Sequence, residues 1–482
     1  MKTFQCGLLS VYIGAVLAAQ PNIVLFITDD QDVTLGGMKP LVKTLKNIAN
    51  EGASMMNAFT STPICCPSRA SILTGLYQKH HQVLNNSIEG GCSSRNWQLG
   101  LEKSTFAVAL KKANYSTFYA GKYMNKYGQK SVGGPEHVPP GWDSWVGLVG
   151  NSRYYNYSLS INGTAKKYTT EYLTNVLSAF AEEFLDYQRP ENSPFLMVLA
   201  PPAPHAPFTP EPKYVGKFKD KRVPREPHFN TANNSDKHWL VRMKPVPLPN
   251  ETVELLDDYY AMRWETLLSV DDLVETVVNK LRRSELLENT YIMFTSDNGF
   301  HLGQYSMPWD KRQPYEFDVR VPFLIKGPNI SKKSMSTNPI LLIDIHATIL
   351  QMAGVQPMST DGRSILPIEP TGNRTFYLEY RGEGSEKYDP SCPWRDNHLS
   401  LCSSKACCKC QDSTNNTYSC VRSVIDEVED FVFCRFEDDE AFVEAYDMIK
   451  DPYQLVNLYP GLDPAKRKHF SVLLDSWMPV ED

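Results

Sequence analysis

Short, unbroken apolar runs recur along the chain, and polar residues directly follow several of them. Such a run is typical of a strand buried on both faces, as in a parallel sheet. The pattern predicts strands at residues 22–27, 195–199, 291–294 and 321–325. Because ligands gather beyond the carboxyl ends of parallel strands, we expect the polar residues after these runs to share one edge of a sheet.

Segments whose apolar positions have helical spacing alternate with these strands. The predicted helices cover residues 40–51, 68–76, 104–112, 169–187, 253–283 and 341–352. Strands that alternate with helices predict an α/β domain, in which helices flank a large and mostly parallel central sheet. The proline-rich stretch 201–249 interrupts the pattern and is predicted to form a long surface loop near the ligand-binding edge.

The pattern changes after about residue 368. Strand-like segments at residues 375–380 and 431–436 enclose a cysteine-rich stretch, and residues 464–477 again have helical spacing. We predict a larger domain over residues 20–368 and a smaller C-terminal domain over residues 369–482. The smaller domain is expected to contain an antiparallel sheet and a disulfide-rich segment.

The first 19 residues are typical of a secretory signal peptide. Lys2 supplies the positive start, residues 7–19 are mostly apolar, and Ala18 and Ala19 are small enough for cleavage. This run is too short to span a membrane comfortably, and no later segment is predicted to cross one. We therefore expect a soluble mature chain that enters the secretory pathway.

The chain contains 11 cysteines, of which Cys6 lies in the predicted signal peptide. Cys66 is expected to be a small buried residue without a partner. An even set of eight suits disulfides in an oxidising compartment: Cys92, Cys392, Cys402, Cys407, Cys408, Cys410, Cys420 and Cys434. Zinc binding by the cluster between Cys402 and Cys410 is the alternative.

Asn-x-Ser/Thr triplets, which are candidate acceptors of N-linked glycans, are dense along the chain. They begin at Asn85, Asn114, Asn156, Asn162, Asn233, Asn250, Asn329, Asn373 and Asn415. Their density favours a secreted or lumenal glycoprotein, and we expect most of them on the surface.

The formal net charge of -6 argues against general nucleic-acid binding, because contacts to phosphates need a basic surface. It leaves an anionic small substrate open, since a few cationic side chains in one cleft suffice to bind it.

Two pairs of hard oxygen donors follow predicted strands. Asp29 and Asp30 come after the first strand, and Asp297 and Asn298 come after residues 291–294. Carboxylate and amide oxygens suit Ca²⁺ or Mg²⁺. Without a cation, carboxylates packed together would repel and raise one another's pKa. The sequence therefore predicts a metal site at this edge of the sheet.

Residues 65–75, Cys-Cys-Pro-Ser-Arg-Ala-Ser-Ile-Leu-Thr-Gly, resemble the signature Cys-x-Pro-Ser-Arg-x-x-x-Leu-Thr-Gly of the type I sulfatases. The resemblance implies an alkaline-phosphatase/sulfatase-like fold over the larger domain. It also implies that the formylglycine-generating enzyme oxidises Cys65 to formylglycine, whose hydrate attacks sulfate esters. One calcium ion is implied on Asp29, Asp30, Asp297 and Asn298, with the modified Cys65 beside it.

The same resemblance assigns roles to further residues. Arg69 is expected to hold the ionised hydroxyl of formylglycine, Lys122 and Lys311 to bind sulfate, and His205 to protonate the leaving alcohol. Residues 114–122, Asn-Tyr-Ser-Thr-Phe-Tyr-Ala-Gly-Lys, resemble the second sulfatase signature, with asparagine in place of its first glycine.

The chain departs from the family after this second signature. The histidine that often follows the lysine is absent, so Asn125 is a candidate to replace it. His301 is a further candidate for substrate contact.

Residues 64–69, 118–123, 203–207 and 309–316 resemble one branch of the family, the N-acetylglucosamine-6-sulfatases. This implies removal of 6-O-sulfate from N-acetylglucosamine in heparan or keratan sulfate, in the lysosome or outside the cell. Another carbohydrate or aryl sulfatase is an alternative, as is a heparan endosulfatase, although the chain has no polybasic stretch to bind a polyanion. An inactive glycan-binding protein and a phosphatase or phosphonate hydrolase of the same superfold also remain open.

Overall fold

The computed structural model describes residues 20–356, 359–385, 389–394, 396 and 398–477. The predicted signal peptide, residues 1–19, lies outside the described residues. The strands are β1 Asn22–Thr28, β2 Ala53–Met55, β3 Ala58–Phe59, β4 Ser116–Gly121, β5 Ser144–Leu148, β6 Tyr157–Ile161, β7 Thr164–Tyr168, β8 Phe195–Ala200, β9 Thr290–Ser296, β10 His301–Leu302, β11 Trp309–Asp310, β12 Phe323–Lys326, β13 Ser334–Ser336, β14 Ile340–Leu341, β15 Arg374–Tyr380, β16 Leu399–Ser400, β17 Asp412–Ser413, β18 Tyr418–Ile425, β19 Glu429–Phe436 and β20 Val443–Asp447.

Helices lie between these strands, and a π-helical turn, Leu45–Ala49, continues the first of them. The α-helices are α1 Val42–Thr44, α2 Cys65–Thr74, α3 Gln78–His81, α4 Arg95–Leu99, α5 Phe106–Lys112, α6 Leu173–Asp186, α7 Trp239–Arg242, α8 Asn250–Arg283, α9 Glu316–Val319, α10 Asp344–Met352 and α11 Pro464–Trp477. All six helices predicted before residue 356 are present with shifted ends; the first is short, and α2 begins three residues earlier than predicted, at Cys65.

Within the described residues, the main sheet has ten strands in the order β13-β2-β12-β9-β1-β8-β4-β5-β6-β7. Strands β9, β1, β8, β4 and β5 are parallel to their neighbours in this run. The prediction of a large central sheet flanked by helices is confirmed. The predicted strand at residues 321–325 corresponds to β12, which runs antiparallel to β9, so the sheet is mixed at this edge.

The central strand β1 is buried on both faces, which explains the uninterrupted apolar sequence of residues 23–27. Ile23 and Leu25 pack in the core beside α2, α5 and α10, whereas Val24 and Phe26 pack in the core beside α6 and α8. Its register with β9 places Thr28 opposite Ser296, so that both strands end at the same edge. The polar residues that follow each strand therefore meet.

The C-terminal part is built on an antiparallel sheet in the order β15-β18-β19-β20, as predicted. Phe470 and Leu474 of α11 cover one face of this sheet. The other face packs on residues of the larger part, including Tyr315 and Phe317. The division into residues 20–368 and 369–482 stays our proposal for the domain limits.

The proline-rich stretch 201–249 is only partly the surface loop that we predicted. It contains α7, and His228, Lys237, His238 and Val241 are buried within it. The C-terminal sheet covers this stretch, since Glu444 accepts a 2.8 Å hydrogen bond from the His238 backbone N–H. The composition of this stretch could not reveal that a distant segment, the C-terminal sheet, packs over it.

The disulfides correct two predictions. Cys66 pairs with Cys92 and is not an unpartnered residue, whereas Cys407 is free and exposed. The loop that contains Cys92 folds back over the start of α2, where Asn86 Oδ1 accepts a 2.9 Å hydrogen bond from the Cys66 N–H. The remaining pairs are Cys392–Cys408, Cys402–Cys410 and Cys420–Cys434. The zinc alternative loses its ligands, because the sulfurs of Cys402, Cys408 and Cys410 are taken up in disulfides.

Candidate glycan acceptors lie mainly on the surface. Asn85 and Asn415 are half-buried, and the exposed acceptors are Asn114, Asn156, Asn162, Asn233, Asn250, Asn329 and Asn373. Their glycosylation stays a prediction. Among the described residues, no helix has both the length and the apolar character needed to cross a membrane.

A buried carboxyl group in β15 predicts pH-dependent stability. Burial raises the pKa of Glu379 to about 7, against the opposing effects of the Lys79 N–H and the Lys79 charge. The folded state therefore keeps a proton that the unfolded chain loses above about pH 4.3, and stability falls as pH rises towards 7. We expect Glu379→Gln to remove up to about 3 kcal/mol of this loss.

Denaturant unfolding at acidic and neutral pH measures the effect. The matched control is Glu437→Gln, because Glu437 is exposed and directly follows β19 of the same sheet. An equal change of stability with pH in the wild type and in Glu379→Gln would contradict this assignment.

Candidate active site

Helix α2 places Cys65 at the centre of the site. Cys65 is the first residue of the helix, is fully buried, and lies with Sγ 3.7 Å from Asp29 Oδ1. Ser68, one turn later, donates from Oγ to the backbone oxygen of Asp297 at 2.5 Å. The helix is thereby attached to the end of β9. The positive end of the helix dipole favours anions, so this position suits the binding of a negatively charged group.

Asp29 follows β1 and is surrounded by cationic and hydroxyl groups. Lys122 Nζ lies 2.9 Å and 2.7 Å from its two carboxylate oxygens. Arg69 Nη2 lies 3.6 Å from Oδ1, and Ser152 Oγ donates to Oδ2. Burial raises the pKa of Asp29, but the charges of Lys122, His205 and Arg69 outweigh it and hold the pKa well below its usual value. Asp29 is therefore an ionised carboxylate.

Asp30 points to a second group of partners. It adopts a left-handed conformation with φ of 65°. Lys311 Nζ lies 2.6 Å from Oδ2, and Asn298 Nδ2 donates to Oδ1 at 2.8 Å. Burial raises the pKa of Asp30, and the charges of Lys311 and His205 more than reverse this, so the net pKa is lowered.

Asp297 and Asn298 follow β9 at the same edge. The Asp297 carboxylate accepts from Arg69 Nε at 2.8 Å and from the Asp30 N–H at 3.0 Å. Burial raises the pKa of Asp297 to about 7, with the Arg69 charge opposing it. Both predicted pairs of metal donors therefore meet, as the strand ends required.

The oxygen donors at this edge of the sheet fit a hard cation. One ligand atom each from Asp29, Asp30, Cys65 and His205 lies within 4.8 Å of the other three, which defines a candidate metal site. Asn298 Oδ1 is buried and accepts no hydrogen bond within the described part of the chain. Such an orphaned oxygen normally has a ligand or water as its partner. Carboxylate and amide oxygens favour Ca²⁺ or Mg²⁺ over a soft metal.

Lys122 reaches the site because of the glycine before it. Gly121 ends β4 with φ of +117°, and an added Cβ would lie 2.0 Å from the backbone oxygen of Ala200. Only glycine fits this contact between β4 and β8. The Lys122 backbone oxygen in turn accepts from Arg69 Nη1 at 2.7 Å, which couples the two signature segments.

His205 lies in the turn after β8 and is largely buried. Its Nδ1 lies 2.6 Å from the backbone oxygen of Ala206, and its Nε2 lies 3.8 Å from Asp30 Oδ2. Burial lowers the pKa of His205, while Asp29 and Asp30 partly oppose the shift. The Nδ1 contact leaves Nε2 to face the site.

His301 and Asn125, the two candidates for substrate contact, are both buried. His301 Nδ1 lies 3.0 Å from both carboxylate oxygens of Asp318, and burial raises the pKa of that carboxyl group to about 6. Asn125 has its backbone oxygen against Cys66 and Cys92. His301 Nε2 and Asn125 Oδ1 make no hydrogen bond to any residue that the structure describes.

Several positioning residues were missed by sequence reasoning. Ser152 holds Asp29, Asp318 holds His301, and Asn86 holds the start of α2. Arg263 of α8 donates to the Asp30 backbone oxygen at 2.7 Å and to Asp32 Oδ1 at 3.0 Å. No local pattern marks these residues, since each acts across a long sequence separation. A cavity of about 410 Å³ opens beside Ser152, with Tyr155 and Pro207 in its walls.

The unmodified thiol is a poor nucleophile in this setting. Burial raises the pKa of Cys65 to about 12, against the lowering effect of Lys122 and Lys311, so the group is protonated at neutral pH. The fold and the site together define an α/β protein with a buried, charged centre at the carboxyl ends of a large mixed sheet.

Comparison with known proteins specifies the family. The model of the sulfatase family matches residues 21–355. The N-acetylglucosamine-6-sulfatase of Homo sapiens is 46% identical over 470 residues, which cover 95% of this chain and 84% of the human protein. An extracellular sulfatase SULF-1 homolog of Drosophila melanogaster is 41% identical, over 74% of this chain and 32% of its own length.

The fold agrees with these sequence relations. The solved structure of BT4656 in complex with its substrate D-glucosamine-2-N,6-O-disulfate matches this fold with a TM-score of 0.73 and 23% sequence identity. The match covers 95% of this chain and 97% of that chain. The chain belongs to the sulfatase family and is a sulfuric ester hydrolase.

Proposed function

We propose that this sulfatase removes 6-O-sulfate from N-acetylglucosamine residues of heparan and keratan sulfate. The observation that carries the substrate is the 46% identity to the human N-acetylglucosamine-6-sulfatase over nearly the whole chain. The site supports a sulfate ester as the reacting group, because its cationic side chains converge on a buried position at a helix start.

Cys65 is the proposed precursor of the nucleophile, and the formylglycine-generating enzyme is the proposed partner during maturation. Hydrated formylglycine supplies two hydroxyls on one carbon, one to attack sulfur and one to expel sulfate afterwards. The contact of Cys65 Sγ with Asp29 Oδ1, at 3.7 Å, supports this position as the reacting one.

A single Ca²⁺ is the proposed cofactor, held by Asp29, Asp30, Asp297 and Asn298 with the modified Cys65 beside them. The orphaned Asn298 Oδ1 supports this ligand set. The ion would act as a Lewis acid towards one sulfate oxygen.

The charge balance of the site favours an anionic substrate. The carboxylates of Asp29, Asp30 and Asp297 are formally balanced by Arg69, Lys122 and Lys311. With a divalent cation the centre is therefore positive, and a sulfate ester restores the balance. In this scheme Lys122 and Lys311 neutralise sulfate oxygens, and Arg69 holds the ionised hydroxyl of formylglycine.

His205 is the proposed general acid. Its Nδ1 is engaged by Ala206, so Nε2 is the atom that would pass a proton to the leaving alcohol. His301 and Asn125 are proposed to contact the substrate, because each has a buried polar atom without a partner in the described residues.

Replacing His205 tests this role. His205→Ala should lower kcat by about 10²-fold for a sugar sulfate, and by less for an aryl sulfate, whose alcohol leaves without a proton. The matched control is His469→Ala on the exposed side of α11. An equal loss for both substrates would argue against an acid role.

A panel of defined esters tests the function. We expect release of sulfate from N-acetylglucosamine 6-sulfate to exceed that from N-acetylgalactosamine 6-sulfate and from an aryl sulfate. Greater activity on phosphate or phosphonate esters would favour another hydrolase, and binding of sulfated saccharides without turnover would indicate an inactive glycan-binding protein. Cleavage within long heparan sulfate chains, with none at a terminal residue, would favour an endosulfatase.

The proposed location is the secretory pathway, with the lysosome or the extracellular space as its end point. The exposed acceptor asparagines and the disulfides support an oxidising, glycosylating route.

A further inference from the structure

The loop at residues 309–313 carries Lys311 into the site. Its first two residues form β11, which pairs with β10 through only two residue pairs, His301 with Asp310 and Leu302 with Trp309. So short a ribbon is a weak support for the loop. Yet Lys311 is buried, with Nζ held 2.6 Å from Asp30 Oδ2. Contacts outside the ribbon must therefore fix the position of this lysine.

The residue after the lysine has an unusual backbone conformation. Arg312 has a backbone φ of 95°, which residues other than glycine rarely adopt. Such a conformation persists where surrounding contacts over-determine it, and it is found most often at functional sites. The contacts of the Arg312 side chain are the candidates.

Three carboxylates surround the Arg312 guanidinium, which is buried. Nη1 contacts Asp310 Oδ2, Nε lies 3.2 Å from Asp412 Oδ2, and Nη2 lies 3.5 Å from Glu383 Oε2. Asp310 belongs to the loop itself, whereas Glu383 and Asp412 come from the C-terminal part. The hydrogen bond from Nη1 and the two nearby carboxylates restrict the orientation of the planar guanidinium, which a lysine ammonium would not reproduce.

Asp412 is itself held in place. Its Oδ2 accepts from Tyr380 Oη at 2.6 Å and from the Glu383 N–H at 3.0 Å, and its Oδ1 accepts from Asn416 Nδ2 at 3.1 Å.

Two further hydrogen bonds join the C-terminal part to the loop. Tyr418 Oη donates to the Arg312 backbone oxygen at 3.1 Å, and Gln411 Oε1 accepts from the Trp309 N–H at 2.9 Å.

We propose that Arg312 is a positioning residue for the sulfatase reaction, and that Glu383 and Asp412 of the C-terminal part hold it so that Lys311 stays on Asp30. The proposal rests on the proposed role of Lys311 in sulfate binding. The C-terminal part thus acts on the rate of the reaction through one arginine. A small displacement of a charged group from its partner costs a large part of its effect on the transition state.

A double-mutant cycle with Lys311 tests the proposal. Lys311→Ala should lower kcat by about 10²-fold or more. Arg312→Ala should lower kcat by at least about 10-fold with a smaller change in KM, but by less than about 2-fold when Lys311 is already alanine. Arg312→Lys should restore little of the kcat lost in Arg312→Ala, because the ammonium cannot reproduce the contacts of the guanidinium.

Two further variants keep the test independent of folding. Glu383→Gln removes one partly buried partner and should lower kcat in the same direction, again only when Lys311 is present. Arg435→Ala, which removes a pair between Arg435 and Asp475 on the outside of the C-terminal part, should leave kcat unchanged. Thermal unfolding of each variant shows whether the fold is retained.

The outcomes separate the two proposals. If Arg312→Ala lowers kcat by the same factor with and without Lys311, Arg312 acts through general structure and the positioning role is wrong. If Lys311→Ala itself leaves kcat unchanged, the role of Lys311 in the proposed function fails first. Loss of kcat that depends on Lys311 supports both.

Discussion

Cys65→Ser is expected to release a single equivalent of alcohol from a sulfate ester and then to stop. Serine has one hydroxyl at the position of Cys65, so its oxygen can attack sulfur, the alcohol can leave with a proton, and an O-sulfated serine remains. No second hydroxyl is present on that carbon to expel sulfate. Steady-state kcat should therefore fall by at least about 10⁴-fold, as expected for loss of a nucleophilic group.

Rapid-quench measurement of alcohol release would show the single turnover, and intact-mass measurement would show one added SO₃ group. Cys65→Ala should give neither, while keeping the fold, because only a buried sulfur is lost. Cys407→Ser is the matched control, since Cys407 is free and exposed. Sustained turnover by Cys65→Ser would contradict the need for two hydroxyls, and with it the proposed formylglycine.

Asp29→Asn is expected to weaken calcium binding and to lower activity strongly. The substitution keeps the size of the side chain but removes a charge that faces Lys122, Arg69 and the candidate metal site. The affinity for Ca²⁺ should fall, because affinity follows the number of charged ligands. We expect kcat to fall by about 10³-fold, since the ion and the position of Lys122 are affected together.

Isothermal titration with CaCl₂ and sulfate-release kinetics measure the two effects on the same preparation. The control is Asp186→Asn, which removes a carboxylate that pairs with Lys280 on the surface. Retention of calcium affinity together with full activity would show that Asp29 is not a ligand. Loss of activity with unchanged calcium affinity would show that Asp29 positions Lys122 and is not a calcium ligand.

The polar residues of the site could be predicted because they follow strands whose burial shows in the sequence. The central residues of β1 and β9, 23–27 and 291–294, are apolar, and two parallel strands paired in register must end at one edge. Asp29, Asp30, Asp297 and Asn298 therefore meet for reasons that a one-dimensional pattern records. A helix beginning at Pro67 and Ser68 was likewise expected, with Cys65 at its N-terminus, although α2 begins at Cys65 itself.

The supports of these residues could not be predicted, because they depend on contacts between distant segments. Ser152 reaches Asp29 across 123 residues of sequence, and Arg263 reaches Asp32 across 231. The Cys66–Cys92 pair depends on a loop that folds over α2, and the burial of residues around His238 depends on the C-terminal sheet. Composition and periodicity are local quantities and contain no such information.

The complete burial of Cys65 has a consequence for biosynthesis. In the proposed maturation, the formylglycine-generating enzyme has to reach the sulfur before α2 forms and before the adjacent Cys66 is locked to Cys92. Chemical conversion and folding therefore compete in time for each newly made molecule. On this proposal a copy that folds first keeps its thiol, so the active share of a preparation is decided during synthesis.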